Sequence, residues 1–213
     1  MHIPDGYLDP TVSAATYIIF LAYFVYAFKF MRKGFSSEKA TLLSVLASGI
    51  FVAQMLNWPI PGGTSLHFVG GALAGILLGP WLGFSTIFLV LLVQCLIFHD
   101  GGITALGANS INMAIVDVLV GYLIYYVAVK YFGKRGSVIG AFLGGWAGIT
   151  LAGLACGLEI GFSPSFPYGV SVTVPVMTLW HLGLGIVEGA ITASIVAYLA
   201  RRMPELLYSG VRV

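Results

Sequence analysis

Long apolar runs punctuated by short polar or glycine- and proline-bearing breaks set the pattern of this chain. The runs fall at residues 11–31, 40–57, 66–79, 82–98, 109–131, 137–160 and 175–200. Each is read as a helical span, since crossing a bilayer takes roughly 20 predominantly apolar residues. The third run is the short one. About 14 residues rising 1.5 Å each cover about 21 Å, less than the hydrocarbon core of about 30 Å. Breaks are marked by Asn57-Trp58-Pro59, by the loop Ile60-Pro61-Gly62-Gly63-Thr64-Ser65, by Pro80-Trp81, by His99-Asp100-Gly101-Gly102, by Gly133-Lys134-Arg135-Gly136 and by Pro164 and Pro167. The pattern predicts an all-α integral membrane protein, a compact bundle of seven transmembrane helices. Residues 1–213 are expected to form a single transmembrane domain, with residues 1–10 an extracellular amino-terminal segment.

Composition agrees, with 59% hydrophobic and 8% charged residues, and leaves no length for a separate soluble domain. Threading the spans alternately through a membrane puts Lys29, Arg32, Lys33, Lys39, Lys130, Lys134, Arg135, Arg201, Arg202 and Arg212 on one face. Cytoplasmic loops hold the excess of Lys and Arg, so the amino terminus is expected outside and the carboxyl terminus in the cytoplasm. The formal net charge of +2 averages that basic rim against an outer rim with Asp5, Asp9, Asp100 and Glu159, which attracts cations. Residues 1–10 hold two acids and no Lys or Arg, unlike the basic start of a secretory signal. Met1 is therefore expected to stay attached with a free amine. The location implied is a prokaryotic inner or plasma membrane, crossed several times.

Candidate chemistry concentrates at the start of the chain. The α-amine of Met1, the deprotonated backbone nitrogen of His2 and Nδ1 of His2 can close a five- and a six-membered chelate ring, filling three of four planar positions. Square-planar nitrogen coordination favours Ni(II) or Cu(II). The fourth donor is sought among histidines, and threading places His2, His67, His99 and His181 on the outer side. His67, at the start of the third span after a glycine turn, is the best candidate; a helix-start histidine satisfied by loop carbonyls is the competing reading. His99 also reads as an interfacial side chain and His181 as one bonded to a neighbour. Asp5 and Asp9 are candidates for recruiting the ion. Ser65, His99, Asp100 and Asn109 are candidates for hydrogen-bonding the ligands and fixing their orientation.

Asp117 and Glu188 lie inside spans, where ionisable groups are costly and usually face the bundle interior. They leave open a second class of function, an ATP-independent cation carrier or channel. Cys95 and Cys156 read as buried small hydrophobes. Glycines repeat at four-residue spacing, as in Gly71-Gly75-Gly79, Gly140-Gly144-Gly148, Gly153-Gly157-Gly161 and Gly185-Gly189, which permits close helix approach. No phosphate-cradling Gly-x-x-x-x-Gly-Lys-Ser/Thr run occurs, so ATP coupling would come from other chains. No Ser-His-acid spacing or zinc-binding helix motif points to an enzyme.

The opening Met1-His2-Ile3-Pro4-Asp5-Gly6-Tyr7-Leu8, the loop Pro61-Gly62-Gly63-Thr64-Ser65-Leu66-His67, and the segment His99 to Asn109 resemble the metal-capturing membrane subunit of nickel/cobalt energy-coupling factor transporters, the NikM/CbiM family. The resemblance covers nearly the whole chain. It implies a metal held by the terminal amine, the second residue and a histidine entering the third helix, here Met1, His2 and His67. It implies Ni²⁺, or alternatively Co²⁺, as transported substrate rather than resident cofactor. It also implies partners: a transmembrane coupling subunit, ATPase subunits and often a small accessory membrane subunit, with no nucleic acid. Phe68-Val69-Gly70-Gly71 after His67 resembles the nickel type more than the cobalt type.

Overall fold

In a computed structural model the chain is described over residues 1–31 and 35–207. Arg32, Lys33 and Arg212 of the basic rim lie outside the described residues. Helix α1 spans Pro10–Met31. It starts where it does because the Asp9 carboxylate accepts the N–H groups of Thr11 (3.0 Å) and Val12 (3.4 Å), while Pro10 fills the first helical position, where an N–H has no partner anyway. Asp9 is thus a helix cap, which accounts for its carboxylate without an ion. Helix α2, Ser37–Gln54, is capped by Ser36. A two-residue hairpin follows: β1, Trp58–Pro59, pairs antiparallel with β2, Ser65–Leu66, bringing Ser65 opposite Pro59.

Helix α3 (Gly71–Val93) continues as a π segment, Gln94–Phe98. Helix α4 (Leu106–Asn109) runs through a second π segment, Ser110–Asp117, into α5 (Val118–Phe162). Helix α6 spans Val170–Arg202. Among the described residues four stretches are long and apolar enough to cross a membrane, Pro10–Met31, Gly71–Phe98, Leu106–Phe162 and Val170–Arg202, which makes this a multi-pass membrane protein.

Two of those stretches are not single rods. A straight helix of the 57 residues in Leu106–Phe162 would be about 85 Å long, far more than a bilayer core. The backbone instead reverses at Gly133, whose φ of 56° and ψ of −138° are non-helical. A Cβ placed on Gly140 would meet Ala128 and Tyr125, and one on Gly144 would meet Gly121. The two halves of α5 are therefore an antiparallel pair packed backbone to backbone. Helix α3 folds back in the same way at Gly79 (φ 78°, ψ 174°), where a Cβ on Gly83 would meet Ala74 and Gly75. Positive φ is cheap only for glycine, so these two residues allow the turn without a loop. The reversals fall at the breaks expected at Pro80-Trp81 and Gly133.

The expected boundaries shift in three places. The third helix starts at Gly71 rather than at residue 66. Gly70, left-handed at φ 75°, ends an extended stretch that pairs at 65–66 and leaves His67 outside any helix. The second span ends at Gln54, because 58–59 enter the hairpin. The last span begins at Val170, with Pro175 accommodated inside it.

The candidate metal centre

The amino terminus is a buried wedge, not a surface tail. Met1 and Ile3 are fully buried and His2 nearly so. Met1, Ile3 and Leu8 join a core with Ala105, Ala108, Met113, Cys156 and Met177. Burying two such side chains contributes about 3–6 kcal/mol. Against it stands the amine, which burial pushes down from its ordinary 8.0 to about 5. At pH 7, one unit below the ordinary value, keeping it neutral costs about 1.4 kcal/mol. Apolar burial wins, and the wedge docks with a neutral amine.

That amine donates to the carbonyl oxygen and to Oγ of Ser65, the latter at 2.7 Å. A neutral amine has two hydrogens and one lone pair, so both donors are used and the lone pair remains. The β hairpin presents Ser65 here: Ile60 N–H donates to the Thr64 carbonyl and Gly63 N–H to the Ile60 carbonyl. Cys156 Sγ lies 3.6 Å from the Met1 carbonyl, to which it donates. Thr64 and Met177 complete this wall, the Thr64 N–H donating to Met177 Sδ at 3.4 Å.

The rings of His2 and His67 stack, centroids 4.4 Å apart and inclined 18°. His67 Nδ1 donates to the Phe68 carbonyl at 2.7 Å, which fixes the tautomer with the lone pair on Nε2. That Nε2 is buried and has no hydrogen-bond partner. The Nε2 of His2 lies 3.7 Å from Oδ2 of Asp100, beyond hydrogen-bond distance, and like Nε2 of His67 it has no hydrogen-bond partner among the described residues. Burial, then the charge of the nearby amine, lowers the imidazole pKa of both histidines. All these nitrogens are therefore neutral bases at pH 7, a state a cation can use. Asp100, with its carboxyl group 22% exposed, is pushed up by burial.

Asn109 holds the wedge in register. Its Oδ1 accepts from Ile3 N–H at 2.8 Å and its Nδ2 donates to the Ile3 carbonyl at 3.1 Å, the two bonds a neighbouring β-strand would supply. Gly102 N–H adds a bond to the same carbonyl at 2.8 Å. The π winding from Ser110 to Asp117 follows directly, and Asn109, Asn112 and Asp117 are all buried; single-turn π geometry often marks functional positions. Asn109→Ala leaves the buried Ile3 N–H unpaired and the Ile3 carbonyl with Gly102 alone. It should cost about 1–3 kcal/mol of stability, read as a lowered melting temperature in detergent, and should weaken metal binding in parallel. An unchanged melting temperature would contradict this role.

Met1, His2, His67, Ser65, Asp100 and Asn109 thus meet at one place. His99 does not: its left-handed backbone (φ 55°) ends a helix and leaves the residue exposed. Asp5 is occupied in structure, accepting from Ile103 N–H (3.2 Å), Thr104 N–H (2.7 Å) and Thr104 Oγ1 (2.6 Å). Glu159, expected on the outer rim, is half-buried and accepts from Asn112 at 2.6 Å. Thr64, Cys156 and Met177 were not legible as neighbours of the amino terminus, because single polar or sulfur side chains in apolar spans carry no signal of direction. Among the described residues no three His, Cys, Asp or Glu side chains converge as a ligand group. A metal centre here draws on main-chain nitrogen.

Known proteins share this arrangement's frame. A relative from Archaeoglobus fulgidus, provisionally named a fused nickel transport protein NikMN, is 54% identical over 207 residues, which are 97% of this chain and 68% of that protein. The fused nickel transport protein NikMN of Rhodobacter capsulatus is 39% identical over 221 residues, with 97% of this chain covered and 64% of the relative; the chain spans less than two thirds of that protein. Among solved structures, a truncated transition metal transporter superposes with a TM-score of 0.90 at 38% identity, covering 94% of this chain and 99% of the other. The family described as the cobalt uptake substrate-specific transmembrane region, CbiM, matches residues 2–206. This chain belongs to the CbiM family.

Proposed function

We propose that this chain is the metal-capturing membrane component of an ATP-driven importer. It takes Ni²⁺ at the outer face through the Met1 amine, the backbone nitrogen and Nδ1 of His2, and Nε2 of His67. The observation that carries the reading is the docked amino terminus. A buried amine bonded to Ser65 lies beside the stacked rings of His2 and His67, each with a buried Nε2 that has no hydrogen-bond partner among the described residues, and the His67 tautomer is fixed by Phe68. Four nitrogens of this kind suit a planar d⁸ ion, which gains from a deprotonated amide, and favour Ni²⁺ over Co²⁺. The nickel names of two relatives point the same way. Co²⁺ is the second reading, favoured by the description of the family.

With α3 and α5 each split at its reversal and α4 taken as the start of the first half of α5, the described helices fit a reading of seven for the bundle. Lys29 lies at the end of α1 opposite the amino terminus, Arg201 and Arg202 at the end of α6, and Lys130, Lys134 and Arg135 beside the reversal at Gly133, while Lys39 and Glu38 share a cleft with Leu77, Leu78 and Leu207. The positive-inside rule then puts the metal pocket outside and the carboxyl terminus in the cytoplasm. The chain has no phosphate loop, so a coupling subunit and separate ATPase subunits drive release, with an accessory membrane subunit fitting the fused length of the relatives. The chain itself has no enzymatic role in this scheme.

The test is a Ni²⁺ titration of the purified chain with nothing before Met1, repeated across pH. One ion per chain is expected at neutral pH. An undocked amine takes up a proton below its ordinary 8.0 while the docked one resists until about 5. Docking is therefore fully favoured above pH 8 and weakens as pH falls from 8 to 5. Displacing the His2 amide proton adds about a tenfold loss of affinity per pH unit. Affinity that is flat between pH 8 and 5 would sink the proposal.

A further inference from the structure

Val69, Gly70 and Gly71 follow His67 directly, and their N–H groups point into the protein at the start of α3. Gly70 provides no side-chain cap. The donors are taken instead by acids from elsewhere in the fold: Val69 N–H to Glu188 Oε2 at 2.9 Å, Gly70 N–H to Glu188 Oε1 at 2.8 Å, and Gly71 N–H to Asp117 Oδ2 at 2.9 Å. Gln54, at the end of α2, donates to the Val69 carbonyl at 2.7 Å. Glu188 belongs to α6 and Asp117 to the π segment before α5, so three separate elements grip one three-residue stretch. All three side chains are buried.

The glycines make room for this grip. A Cβ on Gly71 would lie 2.9 Å from Cγ of Asp117, and one on Gly148 would collide with the same carboxylate. Gly145 packs against the backbone of Gly189, beside Glu188. The small residues of α3, α5 and α6 that the sequence spaces four apart thus let two carboxylates reach main-chain donors. Anions at a helix N-terminus are favoured by the helix dipole, and buried N–H groups left unpaired are costly.

We propose that Glu188 and Asp117 are positioning residues for the metal: by fixing the main chain at 69–71 they aim the His67 ring, and a shift of α5 or α6 reaches the ion through that stretch. The inference rests on His67 as a ligand. It replaces a cation relay as the role of the two acids, since their oxygens hold backbone rather than line an open path. His67 itself bonds only to its neighbour Phe68, so its direction depends on the backbone that follows it.

The test uses the full chain with a free Met1 amine, in detergent or lipid, and follows Ni²⁺ binding by dialysis and by the visible absorption of the bound ion. Glu188→Gln, which puts an amide donor against an N–H donor, and Asp117→Leu, which removes the acceptor of Gly71 N–H, should each weaken Ni²⁺ binding by about 10- to 100-fold and shift the absorption band. Glu188→Asp should recover part of both. Loss of thermal stability with unchanged affinity and an unchanged band would overturn the proposal, because a merely structural role predicts that. Should the variants fail to fold, hydrogen exchange in the unsubstituted chain decides. Ni²⁺ should slow exchange at Val69, Gly70 and Gly71 by at least about tenfold through the shared grip, and unchanged exchange there with protection at residues 2–3 overturns it. Retained tight binding in His67→Ala would instead remove the ligand assignment beneath it, an outcome independent of the acid variants.

Discussion

One acetyl-capped residue added before Met1, which leaves no free amine to chelate in its place, should lower Ni²⁺ affinity by at least about 100-fold, more than the loss of a residue that only orients a ligand. The addition turns a basic amine into an amide and opens the five-membered chelate ring, so two of the four planar positions are compromised. It also has nowhere to go. Met1 is fully buried with its nitrogen against Ser65, and any atom beyond that nitrogen must displace the hairpin or push the wedge out. Ile3 is held independently by Asn109 and Gly102, so the rest of the segment resists sliding to absorb an insertion. Equilibrium dialysis of matched chains, with and without the extra residue, measures the effect. Equal affinities would refute the chelate, and the chain's metal chemistry would have to be sought elsewhere.

His67→Ala is the second large effect, with tight Ni²⁺ binding abolished. The fold should survive, because the ring makes one hydrogen bond, to the adjacent carbonyl, and the hairpin and the acids on either side fix the surrounding main chain without it. The loss of a buried ring costs stability in the range of about 3 kcal/mol, measurable as a shift in melting temperature, while the affinity falls to that of the amino-terminal chelate in water. Tight binding that persists would move the assignment to another histidine. His181 would then be first in line: it is fully buried, its Nδ1 donates to the Met177 carbonyl at 2.6 Å, and its Nε2 has no partner. His99, exposed on a left-handed turn, would be a poor substitute.

The Met1-His2 pair and the histidine after a glycine turn were legible because they are statements about donor atoms: an amine, an amide and imidazoles are present whatever the fold. Asn109 and Asp100 were visible only as polar residues next to a glycine-rich break, with no direction attached. Cys156 and Met177 were invisible. The acids show the difference most clearly. A buried Asp and Glu in apolar helices read equally well as a cation path or as structural groups, and the spacing of His181 and Glu188 suggested a shared face without saying what it faces. What separates the two readings for Glu188 is its bonds to Val69 and Gly70, 119 and 118 residues away in sequence.

The sequence by itself determined the apolar runs and their breaks, because partitioning between hydrocarbon and water depends on composition summed over a span and hardly on tertiary detail. It also determined where the chain can reverse without a loop, at glycines able to take positive φ. Tertiary structure decided which of four histidines lies against the amino terminus, that Asp5 binds the backbone of Ile103 and Thr104, and that residues 67–70 stay outside any helix. Those outcomes follow from contacts between segments that are about 60 to 160 residues apart, where each donor and acceptor is chosen by packing geometry, and local pattern carries no record of that choice.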